Sequence, residues 1–333
     1  MTKKILFHVH GGLGANIMKT AAFMQLRKEN PDAIIHVKAC FPDVFKNLPG
    51  VDEYFAGPPQ QIIHNAYRTY KDFEIIGEQE PYLDLEYRQK KSHFIEAACR
   101  RYGLQMPERM AGDIILTQRE KKDAEKIVAE MLKQIPGSKK EKLVAFQWTG
   151  GIPTHSAGAA KDIGRITQAR NLPKDVAQKI VSGLVKNDYS VVQISLPTED
   201  RLDGCLQLYD TTPTAPIPIR YLFAILNECV GFIGIDSFAQ HAWAALKKQN
   251  GLVCWGGTSP IQLGYETLLN LTPQNAPCDD IHCGRPFSIV GDFLGNGEFW
   301  TCPFDEACMN YNPDFVVGKF ISMIAENAPI KGE

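Results

Sequence analysis

Apolar positions along this chain alternate between short continuous runs and longer amphipathic segments. A continuous apolar run is typical of a buried strand, and helical spacing of apolar residues predicts an amphipathic helix. The predicted strands are Ile5–His10, Ala33–Ala39, Val51–Phe55, Phe73–Gly77, Leu143–Trp148, Tyr189–Ser195, Val230–Ile235 and Gly251–Trp255. The predicted helices are Ala15–Lys28, Ser92–Tyr102, Gln118–Gln134, Pro173–Lys186, Ile219–Glu228 and Ser237–Lys248. Alternating strands and helices indicate parallel, doubly wound α/β sheets.

A polar stretch with Pro136 and Gly137 interrupts this alternation near the middle of the chain, after which the pattern restarts. A length of 333 residues also favours two domains over one. We therefore predict two Rossmann-like domains at 1–138 and 139–333, the second with a cysteine-rich insertion at 276–310.

The net charge says little about the fold but bears on the classes of binding partner. The 36 basic and 38 acidic side chains leave a net charge of -2, which is not the footprint of a general binder of nucleic acids or anionic membranes. The first residues lack the long apolar region of a signal peptide, and no apolar stretch is long enough to span a bilayer. We expect a cytoplasmic location, or a peripheral one at the inner face of a membrane.

Glycine-rich turns follow three of the predicted strands, at 11–16 (GGLGAN), 149–151 (TGG) and 234–241 (GIDSFAQH). In doubly wound sheets the ligand lies beyond the carboxyl ends of the strands, where backbone N–H groups can receive an anion. Gly14, Gly150 and Gly151 are therefore candidate binding residues. The first turn lacks the GxGxxG fingerprint of dinucleotide-binding proteins, which argues against an NAD(P)-dependent oxidoreductase.

The third turn contains the most side chains suited to binding a ligand. Asp236 ends an apolar strand, Ser237 can cap the following helix, and His241 lies one helical turn further on the same face. The trio could hold a diphosphate and sugar hydroxyls, or it could be an ordinary helix cap with a solvent-facing histidine. A second turn after the next strand, which contains Gly257 and Thr258, favours a binding site.

Long stretches in both halves resemble the glycosyltransferase family that contains the lipopolysaccharide heptosyltransferases. In the first half these are GGLGANIMKTAAFMQLRKENPDAIIHV and FPDVFKNLPGVDEYF, and in the second half LFAILNECVGFIGIDSFAQHAWAALKKQNGLVCWGGTSP, with QWTGG and ARNLP between them. The resemblance implies a GT-B fold, in which two Rossmann-like domains face a central cleft. It also implies an amino-terminal acceptor domain, a carboxy-terminal nucleotide-sugar domain, and transfer that needs no metal.

Residue by residue, the resemblance assigns Asp236, Ser237 and His241 to the donor site and places Arg170 where the family carries a basic residue facing the diphosphate. Two positions depart from the family. Ala15 replaces the aspartate thought to activate the acceptor hydroxyl, and Phe238 replaces a glycine of the donor motif.

Because Ala15 removes the expected base, the strand-end residue His10 is the candidate replacement, with His8 behind it; a packed structural histidine is the plainer interpretation. The predicted function is transfer of a heptose or another sugar from a nucleotide-diphosphate donor to a hydroxyl. The alternative is a non-catalytic nucleotide-sugar binder.

The acceptor stays open among glycan, protein and modified nucleic acid. An aromatic and basic patch at Tyr67, Arg68, Tyr70 and Lys71 would suit an anionic polymer.

The chain has nine cysteines, an odd number without a secretion signal, which favours reduced thiols. Five of them lie in or beside apolar patterns, namely Cys40, Cys99, Cys205, Cys229 and Cys254. The other four, Cys278, Cys283, Cys302 and Cys308, fall in an irregular segment, where a structural zinc or iron ion would explain them. His282 could replace one of these ligands, and unpaired thiols in a long loop are the alternative. Some protein-modifying members of the family resemble this arrangement in carrying a four-cysteine metal finger.

Overall fold

The computed structural model describes residues 2–56, 70–150, 170–197, 199–208, 217–279, 281–283 and 302–327. Its strands are β1 (Lys4–Val9), β2 (Ile34–Ala39), β3 (Glu53–Ala56), β4 (Glu74–Ile76), β5 (Leu143–Phe146), β6 (Ser190–Gln193), β7 (Cys205–Gln207), β8 (Gly231–Ile235), β9 (Gly251–Cys254) and β10 (Leu269–Leu271). Its α-helices are α1 (Leu13–Glu29), α2 (Leu85–Arg88), α3 (Phe94–Tyr102), α4 (Gln118–Leu132), α5 (Lys174–Lys186), α6 (Ile219–Glu228), α7 (Phe238–Ala245), α8 (Pro260–Leu263) and α9 (Pro313–Glu326).

The first half forms a parallel sheet with the strand order β3-β2-β1-β4. Strand β1 is central, with Ile5 opposite Ile35 on one side and opposite Glu74 on the other. The chain moves outward from β1 through β2 to β3 and then returns to the other side of β1. The order therefore reverses between β1 and β4, and a crevice is expected there beyond the carboxyl ends of both strands.

The second half repeats this plan with a larger parallel sheet in the order β10-β9-β8-β5-β6-β7. Here the order reverses between β5 and β8, which pair through Val144 opposite Gly231 and Phe146 opposite Ile233. Strands β5, β6, β8 and β9 are buried along their whole length, as expected for parallel strands covered by helices on both faces.

The sequence pattern predicted most of these elements, usually with ends that extend beyond the observed ones. The helix predicted at Ser237–Lys248 ends at Ala245, and Lys247 and Asn250 just beyond it have positive φ angles that stop a helix. Strands β7 and β10 were not predicted because each has only three residues, too few to show a period. The division at 138/139 stays a prediction. No helix in the described parts of the chain is long and apolar enough to cross a membrane.

A buried guanidinium connects the two halves. Arg220, on α6 and 5% exposed, donates from Nε to Glu120 Oε1 at 2.8 Å and from Nη2 to Glu120 Oε2 at 3.0 Å. It also donates to backbone carbonyls of the first half, at Asp43 (3.3 Å) and Lys46 (3.4 Å). Glu120 itself closes a capping box with Thr117 at the start of α4. The Arg220 side chain thus donates hydrogen bonds to the Glu120 carboxylate and to the backbone carbonyls of Asp43 and Lys46.

We expect Arg220→Met to lower the free energy of unfolding by about 3 kcal/mol, because it leaves the Glu120 carboxylate without its cation. Burial favours a higher pKa for Glu120, but the hydrogen bonds from Arg220 and Thr117 outweigh it and bring this pKa from 4.5 to about 2. The stabilisation should therefore be complete above pH 4.5 and fade as the pH falls towards 2. Urea unfolding at several pH values measures both effects.

Lys133→Met is the matched control, because it removes an exposed ion pair with Glu130 on the same helix segment. Such a pair contributes less than about 1 kcal/mol. Equal stabilities of the two variants would show that Arg220 does not connect the halves as described.

Candidate functional site

The crevice of the second sheet brings together the turns that follow β5 and β8. Asp236 follows β8 directly and is 3% exposed. Its carboxylate oxygen Oδ1 accepts a hydrogen bond of 2.9 Å from Gln240 Nε2, one turn into α7. Burial raises the pKa of Asp236, while the charge of Arg170 and the side chains of Thr258 and Gln240 act in the opposite direction. The carboxylate is thus fixed in place at the strand end.

Arg170 supplies the positive charge at this crevice. Its Nη1 donates to the backbone carbonyl of Asp236 at 3.2 Å. Its guanidinium also lies against Gly150, where a Cβ would be only 2.6 Å from Arg170 Nε. The Gly150 N–H donates in turn to Asn171 Oδ1 at 2.8 Å. Glycine at 150 is therefore required for the cation to sit between the two turns. Gly151, the next predicted residue, lies outside the described residues.

Ser237 begins α7 but does not cap it as the sequence predicted. Its backbone is fully extended, with φ -158° and ψ 177°, and its side chain makes no capping hydrogen bond. The first N–H groups of the helix therefore donate no hydrogen bond to this side chain. The helix N-terminus keeps its partial positive charge at the crevice, where it favours an anion.

His241 is buried rather than solvent-facing, with 3% of its surface exposed. Its Nδ1 lies 2.7 Å from Tyr265 Oη, and its Nε2 lies 3.9 Å from Asp236 Oδ1. Burial lowers the pKa of His241 to about 3, with smaller contributions from His93 and Arg170. The imidazole is consequently neutral at physiological pH.

Gly14 contacts this histidine from the other half of the molecule. A Cβ at position 14 would lie 2.6 Å from His241 Cδ2, so only glycine permits the approach of α1 to α7. The predicted donor residue Gly14 therefore lies at the site, in contact with His241.

The turn after β9 borders the same crevice. Thr258 is buried and acts on the pKa of Asp236, and Ser259 caps α8 by accepting from the Ile261 N–H. His282 Nδ1 lies 3.0 Å from the Gly256 carbonyl oxygen, so the segment that carries the late cysteines is connected to this turn. Gly257 lies in the turn itself, between Gly256 and Thr258.

The crevice of the first sheet contains His10, as the sequence predicted, and two carboxylates that it did not predict. His10 follows β1, and its ring lies 4.0 Å from that of the buried His8. Glu78 and Glu80 follow β4, and their negative charges act to raise the pKa of His10. The pKa of His10 is nevertheless lowered, first by burial and then by the charge of Lys19. His10 is therefore a neutral base at physiological pH.

Tyr82 lies between the two crevices and was also missed by the sequence interpretation. It is 41% exposed, and its ring packs 5.2 Å from that of Phe94. Burial and the charges of Glu80 and Asp236 raise its pKa, whereas Arg170 lowers it. Charges from both halves thus reach one phenol, in keeping with the contact of Gly14 with His241 between the two crevices.

The nine cysteines divide into the two sets that the sequence predicted. Cys99, Cys205, Cys229 and Cys254 are buried, Cys40 is half-buried, and all five thiols are free. Burial, together with smaller contributions from the nearby thiols of Cys302, Cys278 and Cys283, raises the pKa of Cys308 to about 12. The four late cysteines therefore lie near one another, yet no three or more ligand side chains in the described ranges are arranged to hold a metal ion.

The aromatic and basic patch predicted in the first half is only partly described. Tyr67 and Arg68 lie outside the described residues. The ring of Tyr70 packs 5.0 Å from that of Phe73 and 5.9 Å from that of His36. Lys71 is exposed beside it.

Comparison with known proteins identifies the fold. No protein-family model and no curated protein sequence matches the chain. Its structure is similar to the glycosyl transferase family 9 protein of Veillonella parvula DSM 2008, with 12% identity, a TM-score of 0.65 and 98% of each chain covered. It is also similar to the E. coli ADP-heptose lipopolysaccharide heptosyltransferase II, with 14% identity, a TM-score of 0.58, and 98% of this chain and 100% of that chain covered.

A third similar structure is the dodecameric iron-containing heptosyltransferase TibC in complex with ADP-D-β-D-heptose, with 12% identity and a TM-score of 0.63. The match covers 98% of this chain and 78% of that one. The chain thus has the fold of family 9 glycosyltransferases, the GT-B arrangement of two doubly wound α/β units. The resemblance inferred from the sequence is confirmed at the level of the fold.

We expect Gly14→Ala to destabilise the protein by about 1–3 kcal/mol, because the new methyl group would overlap a histidine ring fixed by Tyr265. Displacing that ring should also weaken nucleotide binding. Gly12→Ala is the control, since a Cβ at position 12 meets nothing within 4 Å. Thermal unfolding with and without ADP separates the two variants, and equal melting temperatures would refute the close approach.

Proposed function

We propose that the protein is a glycosyltransferase that binds a nucleoside-diphosphate sugar at the crevice between β5 and β8. The observation that carries the proposal is the combination at one strand edge of Arg170, the N-terminus of α7 and the buried Asp236 carboxylate. A fixed guanidinium and a helix N-terminus suit a diphosphate, and a carboxylate suits sugar hydroxyls. The similar structures include one in complex with ADP-D-β-D-heptose, which supports a nucleotide sugar as donor.

The chemistry proposed is displacement of the diphosphate by an acceptor hydroxyl. Charge builds on the departing diphosphate, and Arg170 with the first N–H groups of α7 would stabilise it without reorganisation. The acceptor would enter from the crevice between β1 and β4, where the neutral His10 can contact its hydroxyl. Glycan, protein and modified nucleic acid stay open as acceptors, and a heptose is one of several candidate sugars.

The experiment is incubation of the purified protein with ADP-heptose, UDP-glucose and GDP-mannose, followed by detection of the released nucleoside diphosphate and by titration with the nucleoside diphosphates. We expect binding of one nucleotide, and slow release from the corresponding sugar. Binding without any release would favour the non-catalytic binder, which the absence of a carboxylate at Ala15 supports. Absence of both would refute the proposed function.

We expect Asp236→Asn to lower release at least about a hundredfold while leaving the melting temperature close to that of the wild type. The amide keeps the size of the carboxylate and can still contact Gln240, but it loses the charge that orders the sugar hydroxyls. Asp188→Asn, at an exposed ion pair remote from the site, is the control. Unchanged release by the Asp236 variant would remove this residue from the site.

We further propose that Cys278, Cys283, Cys302 and Cys308 hold one structural ion, iron or zinc. The thiols are all half-buried and act electrostatically on Cys308, and four thiolates suit either metal. One of the similar structures is iron-containing. When bound, the ion would crosslink the segment that reaches the turn after β9 through His282.

Elemental analysis tests the metal, with one ion per chain expected. Cys278→Ser should lower the bound metal well below that ratio, whereas Cys205→Ala, which removes a buried thiol in β7, should retain it. Metal-free wild-type protein, prepared without chelators, would refute the site.

A further inference from the structure

The crevice between β1 and β4 contains an ion pair whose acidic member faces the cleft. Lys19, on α1, is 0% exposed, and its Nζ donates to the His10 carbonyl oxygen at 3.2 Å. The same Nζ lies 3.8 Å from Glu80 Oε1. The Glu80 side chain is 33% exposed, so one of its oxygens faces the lysine while the side chain remains accessible to solvent.

The backbone fixes where Glu80 lies. Gly77, directly after β4, has φ +101°, and a Cβ there would lie 2.2 Å from the His8 carbonyl oxygen. Only glycine allows the chain to turn so closely over the end of β1. Three residues later Glu80 occupies the N-cap position of the 3₁₀ turn Pro81–Leu83, which carries Tyr82. The carboxylate thus stands at the point where the strand order reverses.

We propose that Glu80 is the general base that accepts the proton of the acceptor hydroxyl, the task left open by Ala15. This inference rests on the proposed function and deepens it. The geometry assigns the carboxylate a site at the carboxyl edge of the first sheet, held by a buried ammonium. The sequence predicted His10 for this task; His10 keeps a place beside the same hydroxyl, as a neutral contact.

The surrounding charges favour the Glu80 carboxylate over the His10 imidazole as the group that accepts the hydroxyl proton. Protonation of His10 would place a second positive charge beside the buried Lys19 and close to the ring of His8. An ionised carboxylate only accepts hydrogen bonds, which is the polarity that aligns a hydroxyl for attack. In the step itself the acceptor O–H proton passes to Glu80 and the acceptor oxygen bonds to the anomeric carbon. The bond from that carbon to the diphosphate oxygen breaks, and its electron pair leaves with the diphosphate.

Release of nucleoside diphosphate from ADP-heptose, UDP-glucose or GDP-mannose to water tests the base, because water then takes the place of the acceptor hydroxyl. Glu80→Gln should lower this release about a hundredfold or more and leave the dissociation constant of the nucleoside diphosphate unchanged. Glu80→Asp should restore part of the rate. Glu74→Gln, in the exposed ion pair of β4 with Lys3, should match the wild type.

Glu80→Gln leaves Lys19 buried without its carboxylate, so the variant could lose stability for that reason alone. The double variant Lys19→Met with Glu80→Gln removes both charges and should fold and remain inactive, whereas Lys19→Met alone should retain more of the rate than Glu80→Gln. Wild-type release by either variant that lacks Glu80 would overturn the assignment while leaving the proposed function intact. Loss of nucleotide binding together with release would also overturn it, by showing a structural role. A wild-type protein that binds and cleaves none of the three sugars would instead refute the proposed function.

Discussion

The candidate site depends on one close approach, between the start of α1 and the imidazole of His241. Gly14 has no side chain to keep the helices apart, and Tyr265 fixes the ring from the opposite side. Because α1 follows β1 and α7 follows β8, this contact brings the carboxyl edges of two separate sheets into one cleft. Without it, the crevice beyond β5 and β8 and the crevice with His10 and Glu80 would not adjoin.

The two crevices have complementary electrostatics. The second sheet presents a guanidinium and a helix N-terminus, both suited to an anion. The first presents two carboxylates and a neutral imidazole, with its one ammonium, Lys19, buried behind them. A transfer that releases a diphosphate and consumes a hydroxyl proton needs this division, because the leaving group requires positive charge and the attacking group requires a proton acceptor.

The sequence predicted the parts of this arrangement that are local in the chain. Asp236, Ser237 and His241 were found because strand, turn and helix follow one another directly, and Arg170 was found by resemblance. Burial of His241 was not predictable, since Gly14 and Tyr265 are distant in sequence. Glu80 and Tyr82 follow a strand of only three residues, in a segment with no period to mark it. Their positions are set by tertiary contacts, of Glu80 with Lys19 and of Tyr82 with Phe94, which a linear pattern does not contain.

The Arg220 contacts bear on how such a protein could be recombined with a relative. Glu120 belongs to α4, which packs against α6 and, through Gln134 and Gln207, against the end of the second sheet. Among the described residues before Thr117, Arg220 donates to backbone carbonyls, which any sequence supplies. A crossover placed before Thr117 would therefore transfer the ion pair intact with the second half. A crossover in the polar stretch after α4 would instead take Glu120 from one parent protein and Arg220 from the other.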